Sequence, residues 1–437
     1  MSGVFERDSK YLLQSLPSRT RLHITRGRGA RVWDSSGREY LDFFSGIAVN
    51  NVGHCHPRVV EAVKKQAETL MHTSLLYYID PPVRLAEKLA EITPRSISRF
   101  FFANSGAEAV EGAVKLAKKY AYKNRKSASH VIALDLSFHG RTALALTLTG
   151  QHKYKHGLGA FANYPGVVHV ASPYCYRCPL GLDYPRCGVK CAEALEDAIN
   201  RRTPGEATAF IAEPIQGEGG IITPPVEYFK KVNEVCGRYG VLFICDEVQT
   251  GFGRTGRLFA AEHYGLEPDL MTMAKALGGG LPIGAIGVSE EVASAIDAGD
   301  HFSTFGGNPV ACAAASAAIE AVLDEMLHER AEKLGRMLMD GLKEVQEELG
   351  LIGDVRGKGL MVGVELVKDR ETKEPADKEA AKAAEHALRE GVIIGVGGVY
   401  KNVLRLQPPL VIDENDVNRV VETIERSIRS LSKPGGT

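Results

Sequence analysis

The sequence has 437 residues, 44% of them hydrophobic and 24% charged, which is enough for a large core and predicts one large domain with a smaller one. Its 53 Lys and Arg residues against 54 Asp and Glu residues give a net charge of -1, which favours neither nucleic acid nor an anionic membrane as a partner. The N-terminal segment is charged, and no stretch approaches the roughly 18 uninterrupted apolar residues of a membrane helix, so a cytoplasmic protein is expected.

In chain order, the first predicted elements are two short strands joined by a Ser-Ser-Gly turn in RVWDSSGREYLDF. From about residue 60, short apolar runs alternate with helical stretches. Each run is too short for a buried helix and is bounded by polar, Gly or Pro residues, so each is interpreted as a central strand. The runs are RFFFAN (99–104), HVIALD (130–135), ATAFIAEP (207–214), VLFICDE (241–247) and PDLMTMAK (268–275).

Residues 105–120, between the first two runs, have the periodicity of an amphipathic helix. Val110, Val114, Ala117 and Tyr120 share one face, with Lys and Glu residues opposite. This alternation of strands and helices is typical of a mainly parallel sheet with helices on both faces. The predicted fold class is therefore α/β.

After about residue 325 the pattern changes to a long charged amphipathic helix, the apolar runs GLMVGVEL and NVLRLQPPLVI, and a closing helix from Glu414. These elements predict a smaller α/β domain that the N-terminal segment completes. The predicted organisation is an N-terminal segment (1–60), a large domain (61–325) and a small domain (326–437).

Two charged side chains follow neighbouring predicted strands, at the sheet edge where open parallel sheets place their active sites. Asp246 follows an apolar run, and Lys275 ends the next run just before glycines 278–280. Taken singly, Asp246 could cap a helix and Lys275 could be a solvated strand end. Together they are the pair that pyridoxal 5′-phosphate (PLP) requires, an acid to keep the pyridine nitrogen protonated and a lysine for the Schiff base.

A phosphate site is predicted at Asn-Ser-Gly-Ala-Glu, residues 104–108. The segment follows a predicted strand and opens a helix, so unpaired backbone N–H groups and the helix dipole face an anion there. Because Ser and Asn cap many helices, an ordinary helix cap is the alternative for this segment alone.

With these motifs the chain resembles the class III aminotransferases, which are ornithine, 4-aminobutyrate and ω-amino-acid enzymes of PLP fold type I. The resemblance spans nearly the whole chain and implies the fold-type I architecture, a PLP cofactor and transamination. The matching motifs, in the family's order, are LDFFSGIAVNNVGHCHP, FFANSGAEAVEGAVKLA, SFHGRT, AEPIQGEGG, CDEVQTGFGRTG, MAKALGGGLPIGA, STFGGNP and RGKGLMVGVEL.

The resemblance also implies roles for individual residues. Lys275 would form the Schiff base and carry the proton between the substrate and cofactor carbons, and Asp246 would pair with the pyridine nitrogen. The further implied cofactor contacts are Gln249 near the ring hydroxyl, Phe138 and Val248 on the two ring faces, Ser105, Gly106 and Ala107 at the phosphate, and Thr304 from a second subunit. That last contact implies a homodimer or a dimer of dimers. From the residues alone, Phe138 and Val248 could be core residues and Thr304 a loop hydroxyl.

Substrate recognition is implied at three charged positions. Arg141 matches the family arginine that binds a substrate carboxylate, a task that suits a planar guanidinium. Arg405 would bind the α-carboxylate of 2-oxoglutarate, and Glu218 would mask Arg405 while the amino donor is bound. The alternatives are a surface arginine at position 141 and a fixed salt bridge between Glu218 and Arg405.

These positions favour ping-pong transfer from an ω-amino acid to a 2-oxo acid, 2-oxoglutarate. Ile47 stands where the ornithine enzymes carry a tyrosine that holds the α-amino group of the donor, which favours a 4-aminobutyrate-like donor. The alternatives are an amino-acid racemase or epimerase of the same family and an ornithine or acetylornithine aminotransferase.

Four cysteines, Cys175, Cys178, Cys187 and Cys191, lie close together in a segment rich in Tyr, Pro and Gly. Thiols at this spacing could bind zinc or an iron–sulfur cluster, form a disulfide or stay free. Because a second Cys-x2-Cys pair is missing, free thiols are favoured and no metal is predicted.

Overall fold

The computed structural model describes residues 3–16, 19–124, 129–203 and 206–431, so residues 432–437 of the predicted small domain lie outside it. In these ranges the strands are β1 (Ile24–Arg28), β2 (Arg31–Asp34), β3 (Glu39–Asp42), β4 (Arg99–Ala103), β5 (His130–Leu134), β6 (Val167–Val170), β7 (Ala207–Ala212), β8 (Leu242–Asp246), β9 (Leu270–Met273), β10 (Gly284–Val288), β11 (Ile352–Lys358), β12 (Met361–Leu366), β13 (Val392–Ile393), β14 (Gly395–Gly397) and β15 (Val403–Leu406).

The helices include the predicted amphipathic and closing ones. They are α1 (Val4–Tyr11), α2 (Ser45–Ala48), α3 (Pro57–Thr69), α4 (Asp80–Ile92), α5 (Gly106–Lys123), α6 (Ala143–Leu148), α7 (Glu193–Arg202), α8 (Val226–Tyr239), α9 (Glu290–Ala293), α10 (Pro309–Asp324), α11 (Leu327–Glu348), α12 (Asp377–Arg389) and α13 (Glu414–Leu431). None of the helices in the described part of the chain is long and apolar enough to cross a membrane.

The central sheet has seven strands in the order β4-β10-β9-β8-β7-β5-β6. Strand β10 runs antiparallel to both of its neighbours, and the other neighbouring strands are parallel. This arrangement confirms the predicted α/β fold with a mainly parallel sheet. All five predicted central strands are present, and β6 and β10 are additional to the prediction.

Alternate residues of the central strands face two separate hydrophobic layers. In β8, Phe243 and Cys245 pack with residues of α7 and α8. Leu242 and Ile244 point the opposite way and pack with residues of α5 and α6. Helices therefore cover both faces of the sheet, which leaves the carboxyl edge of the parallel strands open for a site.

Two four-stranded sheets, β1-β2-β3-β13 and β11-β12-β15-β14, complete the fold. Strands β2 and β3 form the predicted hairpin, and β13 pairs with β3 in parallel, so the two ends of the chain share one sheet. Residues of α11, α12 and α13 pack with residues of β12 and β15 in a common core. The domain limits themselves stay predictions.

Candidate active site

Asp246 ends β8 and is buried at the carboxyl edge of the central sheet. Its Oδ2 lies 2.6 Å from Nδ1 of His139, and its Oδ1 accepts a hydrogen bond from Thr272 Oγ1 at 3.0 Å. Burial alone would lower the pKa of His139, but the bond to Asp246 and the charges of Asp246 and Glu213 raise that pKa overall. The raised pKa favours a positively charged imidazole, which holds the Asp246 carboxylate in place.

Lys275 follows β9, the strand that pairs with β8 beside Asp246. Burial lowers the pKa of Lys275, although the charges of Asp246 and Glu213 oppose this shift. The backbone φ of Lys275 is 43°, a left-handed conformation that is rare outside glycine and concentrated at functional sites. A lysine with a lowered pKa is more readily neutral, which is the form that attacks a carbonyl carbon.

Glu213 lies just after β7 and joins two loops of the site. Its Oε2 accepts a hydrogen bond from the backbone N–H of Phe138 at 3.0 Å, and its Oε1 accepts one from Gly217 at 3.1 Å. Burial raises the pKa of Glu213 to about 7. This carboxyl, which the sequence analysis missed, fixes Phe138 relative to the loop that carries Glu218.

The start of α5 can hold a phosphate. Ser105 is the N-cap, and its Oγ accepts a hydrogen bond from the backbone N–H of Glu108 at 3.2 Å. The next N–H groups, of Gly106 and Ala107, have no partner within the helix and face an approaching anion. A Cβ on Gly106 would lie 2.9 Å from Cγ1 of Val248, so the missing side chain lets Val248 pack against this turn.

The amine of Lys275, the carboxylate of Asp246 and the start of α5 are the three groups that PLP requires, so the residues present fit this cofactor. Phe138 is half-buried near Glu213. Gln249 is buried, and its Nε2 donates to Oε1 of Gln407 at 3.3 Å. The ring contacts assigned to Phe138, Val248 and Gln249 stay predictions.

The structure brings Glu218 and Arg405 together. Nη1 of Arg405 lies 2.6 Å from Oε2 of Glu218. Tyr154 donates its hydroxyl to Oε1 of Glu218 at 2.6 Å, and Nζ of Lys153 lies 3.8 Å from the same oxygen. Burial would raise the pKa of Glu218, but the charge of Arg405 and the bond from Tyr154 lower that pKa overall.

Arg405 lies on β15, and its guanidinium packs against Gly397 and the ring of Phe44. A Cβ on Gly397 would lie 2.5 Å from Nε of Arg405, and the guanidinium carbon is 5.2 Å from the centroid of the Phe44 ring. Nε is buried and has no hydrogen-bond partner among the described residues. The Nε donor of Arg405 is therefore enclosed by the protein and unsatisfied, and Nη1 carries the ion pair with Glu218.

Arg141 is exposed, and its guanidinium carbon lies 4.3 Å from the centroid of the Tyr154 ring and 5.6 Å from that of Phe138. Tyr154 thus connects Arg141 to Glu218. The sequence gives no signal for this tyrosine, because it lies in a polar segment and its partner is 64 residues away. His139, in contrast, follows Phe138 inside a family motif, and its position could have indicated it.

Ile47 lies in α2, whose backbone is left-handed throughout, with φ 67° at Ile47 itself. The side chain of Ile47 is 47% exposed, which leaves it open to a substrate. Ser45 Oγ donates to the carbonyl of Gln407 at 2.6 Å, and the buried Arg254 donates to Oδ1 of Asn51 at 2.5 Å. These buried bonds hold a turn that non-glycine residues seldom adopt.

Thr304 is exposed on a loop that approaches the start of α5 of the same chain, since Nδ2 of Asn104 donates to Oγ of Ser303 at 3.3 Å. Its contact with a cofactor in a second subunit stays a prediction.

The four cysteines all border one cavity and are free thiols. Burial, assisted by the neighbouring thiols, raises the pKa of Cys175 to about 11 and that of Cys191 to about 12, so the protonated forms are favoured. Among the residues described, no group of three or more His, Cys, Asp or Glu side chains can hold a metal ion.

Nearly the whole chain is similar to known proteins of one family. Residues 15–428 match the family described as Aminotransferase class-III. Acetylornithine aminotransferase of Methanothermobacter thermautotrophicus is 43% identical, with 98% of this chain and 99% of that protein covered. Leucine/methionine racemase of Thermococcus litoralis is 42% identical, with coverage of 93% and 90%.

A probable 4-aminobutyrate aminotransferase of Bacillus subtilis is 37% identical, with 97% of each chain covered. Among solved structures, the ω-transaminase of Pseudomonas jessenii in complex with PMP has a TM-score of 0.93 and 33% sequence identity, and each chain is covered to 100%.

Proposed function

The chain belongs to the class III aminotransferase family and uses PLP, and we propose that it transfers the terminal amino group of N-acetylornithine, or of a closely similar ω-amino acid, to 2-oxoglutarate. The observation that carries this proposal is the pair of guanidinium groups of Arg141 and Arg405, which Tyr154 and Glu218 connect. Arg405 is paired with Glu218, whereas Arg141 has no ion pair with a described residue.

One free and one masked guanidinium suit a ping-pong enzyme whose two substrates carry different numbers of carboxylates. A donor with one carboxylate binds Arg141 while Glu218 neutralises Arg405. A dicarboxylate such as 2-oxoglutarate also binds Arg405, because release of Glu218 frees the Nη1 donor of that guanidinium for the second carboxylate.

The choice of donor moves from 4-aminobutyrate to N-acetylornithine. Two archaeal acetylornithine aminotransferases are more similar to this chain, at 43% and 40% identity, than the probable 4-aminobutyrate enzyme at 37%. The apolar side chain of Ile47 supports both donors, because neither N-acetylornithine nor 4-aminobutyrate has a free α-ammonium group that needs a hydrogen-bond acceptor. Free ornithine has such a group, so Ile47 disfavours it.

Bound PLP supplies an aldehyde for the amine and a protonated ring that withdraws electrons from the reacting carbon. Asp246, oriented by His139 and Thr272, would keep the ring nitrogen of the cofactor protonated. Nζ of Lys275, with its lowered pKa, would hold the aldehyde of the cofactor as a Schiff base and would act as the base that moves the proton at the reacting carbon. Because the acid and the amine end neighbouring strands, the rigid sheet sets their relative positions.

We propose a homodimer as the active unit. A surface of exposed apolar side chains adjoins the Thr304 loop, and the rings of His72 and Phe305 lie 4.9 Å apart within it. Its exposed members are Met71, Leu75, Leu76, Tyr77, Tyr78, Phe302 and Phe305. An apolar surface of this kind, next to a predicted cofactor contact, supports burial against a second copy.

A racemase is the second candidate, because the leucine/methionine racemase is 42% identical to this chain. A racemase needs one substrate carboxylate site and no exchange of an ion pair, so the pairing of Glu218 with Arg405 favours transamination.

The test is to mix the PLP-loaded protein with N-acetylornithine, 4-aminobutyrate, ornithine or L-leucine, without an oxo acid. We expect N-acetylornithine to convert the cofactor fastest, with restoration of its spectrum by 2-oxoglutarate, and a dimeric mass in sedimentation equilibrium. Loss of enantiomeric purity of leucine without a lasting spectral change would identify the racemase instead. Lys275→Ala should abolish turnover while PLP still binds, and a fully active variant would contradict the assignment.

A further inference from the structure

Glu218 makes contacts on two separate sides. Oε2 faces Arg405, with Nη1 at 2.6 Å, whereas Oε1 accepts a hydrogen bond from the hydroxyl of Tyr154 at 2.6 Å and lies 3.8 Å from Nζ of Lys153. The side chains of Glu218 and Arg405 are only 20% and 5% exposed. The carboxylate is thus surrounded by protein groups and has little access to water.

A buried carboxylate cannot leave one partner unless other groups stabilise its negative charge, because an unpaired buried charge is very costly. When a dicarboxylate occupies Arg405, Oε2 of Glu218 loses its partner. The contacts of Oε1 are on the opposite side and do not involve Arg405. They can therefore persist while the salt bridge to Arg405 is broken.

Both groups at Oε1 are held in place by the surrounding protein. The Tyr154 ring lies 4.3 Å from the guanidinium carbon of Arg141 and packs edge-on against Phe138, with ring centroids 5.5 Å apart. Burial raises the pKa of Tyr154, so its hydroxyl keeps the proton that it donates. Lys153 also donates to the carbonyl of Gly398 at 3.3 Å.

We propose that Tyr154 and Lys153 hold the Glu218 carboxylate after it releases Arg405, and thereby determine how strongly the enzyme binds dicarboxylates relative to monocarboxylates. This inference rests on the proposed use of 2-oxoglutarate. Tyr154 is in these terms a specificity-determining residue that acts through Glu218 and does not bind the dicarboxylate itself. The state in which Glu218 has released Arg405 depends on Tyr154 more than the salt-bridged state does, because Arg405 then no longer stabilises the carboxylate.

Tyr154→Phe tests the proposal, because it removes the hydroxyl and keeps the ring beside Arg141. The probes are glutarate, an unreactive dicarboxylate, and butyrate, an unreactive monocarboxylate, titrated into the PLP-loaded enzyme and followed by difference absorbance. We expect the Kd of glutarate to rise about tenfold, as for the loss of a hydrogen bond to a charged group, and the Kd of butyrate to change much less. The rate of cofactor conversion by glutamate should fall by a larger factor than that by the amino donor.

Two further variants separate this role from a general structural one. In a Glu218→Gln background no charge has to be held, so adding Tyr154→Phe should change the Kd of glutarate by less than about twofold. Lys153→Met should raise that Kd in the same direction as Tyr154→Phe. Lys155→Met is the matched control, because its Nζ donates to the carbonyl of Thr147 at 2.9 Å and makes no ion pair with Glu218, and it should leave the Kd unchanged.

Equal changes for glutarate and butyrate, or the same effect of Tyr154→Phe in the Glu218→Gln background as in the wild-type enzyme, would overturn the proposal. A wild-type enzyme that binds glutarate and reacts with glutamate, but is insensitive to both Tyr154→Phe and Lys153→Met, would leave the proposed function standing and remove this inference. A wild-type enzyme that neither binds glutarate nor reacts with glutamate would contradict both.

Discussion

Gly397 sets the space available to the Arg405 guanidinium. An added Cβ would lie 2.5 Å from Nε and 2.8 Å from Cζ of Arg405, closer than real contacts allow. Its φ is not in the left-handed region, so alanine meets no backbone penalty there. The side chain of Arg405 is flexible and can move away. A substitution at Gly397 therefore acts on the position of the guanidinium more than on the fold.

We expect Gly397→Ala to displace Arg405 from Glu218 and to weaken glutarate binding about tenfold, or about 1.4 kcal/mol, at the lower end of the 1–3 kcal/mol typical of overpacking. The measurement is the Kd of glutarate together with the thermal unfolding midpoint. Gly237→Ala, in α8, is the control, because no atom lies within 4 Å of the added Cβ, and it should leave the Kd unchanged. Unaltered affinity in Gly397→Ala would show that the guanidinium is not confined by this strand.

Four residues of the active site show how far the sequence could predict it. Asp246 and Lys275 each follow a long apolar run, and parallel strands place both at one edge of the sheet. No apolar run ends at His139 or Tyr154, whose hydrogen-bond partners are 107 and 64 residues away, although His139 does adjoin Phe138 inside the SFHGRT motif. Hydrogen bonds between distant loops depend on side-chain packing, which no local pattern in the sequence encodes.

At the scale of secondary-structure elements, Glu365 joins β12 to the cysteine-containing segment. It is fully buried and 2.7 Å from Nη1 of Arg356, and it also accepts hydrogen bonds from Tyr174 and Arg177. Burial would raise the pKa of Glu365, but the charge of Arg356 and the bonds from Tyr174 and Arg177 lower that pKa overall. Arg356 in turn donates to the carbonyl of Gly220 at 2.6 Å, two residues from the Glu218 carboxylate.

We predict that Glu365→Gln destabilises the protein by about 3 kcal/mol, the lower end for breaking a buried pair, because Arg177 and Arg356 lose their shared carboxylate while Asp354 still pairs with Arg356. Urea unfolding at pH 7 measures the effect. Glu374→Gln is the matched control, since its pair with Lys368 is exposed and should add no measurable stability. Equal midpoints for both variants would show that Glu365 does not connect these elements.

A strand can be predicted from the sequence when its apolar residues contrast clearly with the polar residues on either side. The five predicted central strands are long apolar runs between polar boundaries. Strand β10 contains two glycines, which weaken any strand signal, and the short apolar run of β6 is interrupted by His169. The left-handed turn of α2 is also invisible in the sequence, because buried bonds made by Ser45 to a distant carbonyl hold it.

For the whole molecule, the buried acids near the sheet edge make stability depend on pH. Burial raises the pKa values of Glu213 and Glu247 to about 7, from ordinary values of 4.5. The folded state therefore binds more protons than the unfolded state between about pH 4.5 and 7, and stability falls as the pH rises through this window. The raised pKa of His139 also lowers stability as the pH rises, near the upper end of this pH window. The lowered pKa of Glu218 has the opposite effect, and only at lower pH: the stabilisation that this carboxylate contributes is lost as the pH falls.

Replacing Glu247 isolates one part of this dependence. Its Oε1 accepts a hydrogen bond from the backbone N–H of Ala261 at 2.7 Å, and its Oε2 accepts one from Thr250, so Gln can keep the first contact and carries no charge. The rise in the pKa of Glu247 from 4.5 to about 7 corresponds to at most about 3–4 kcal/mol. We expect wild-type stability in urea unfolding to fall from pH 5 to pH 8, with a smaller fall in Glu247→Gln. Glu371→Gln, at an exposed position, is the control and should keep the wild-type dependence of the unfolding free energy on pH. If Glu247→Gln also kept the wild-type dependence, Glu247 would already be ionised in the folded protein throughout this range.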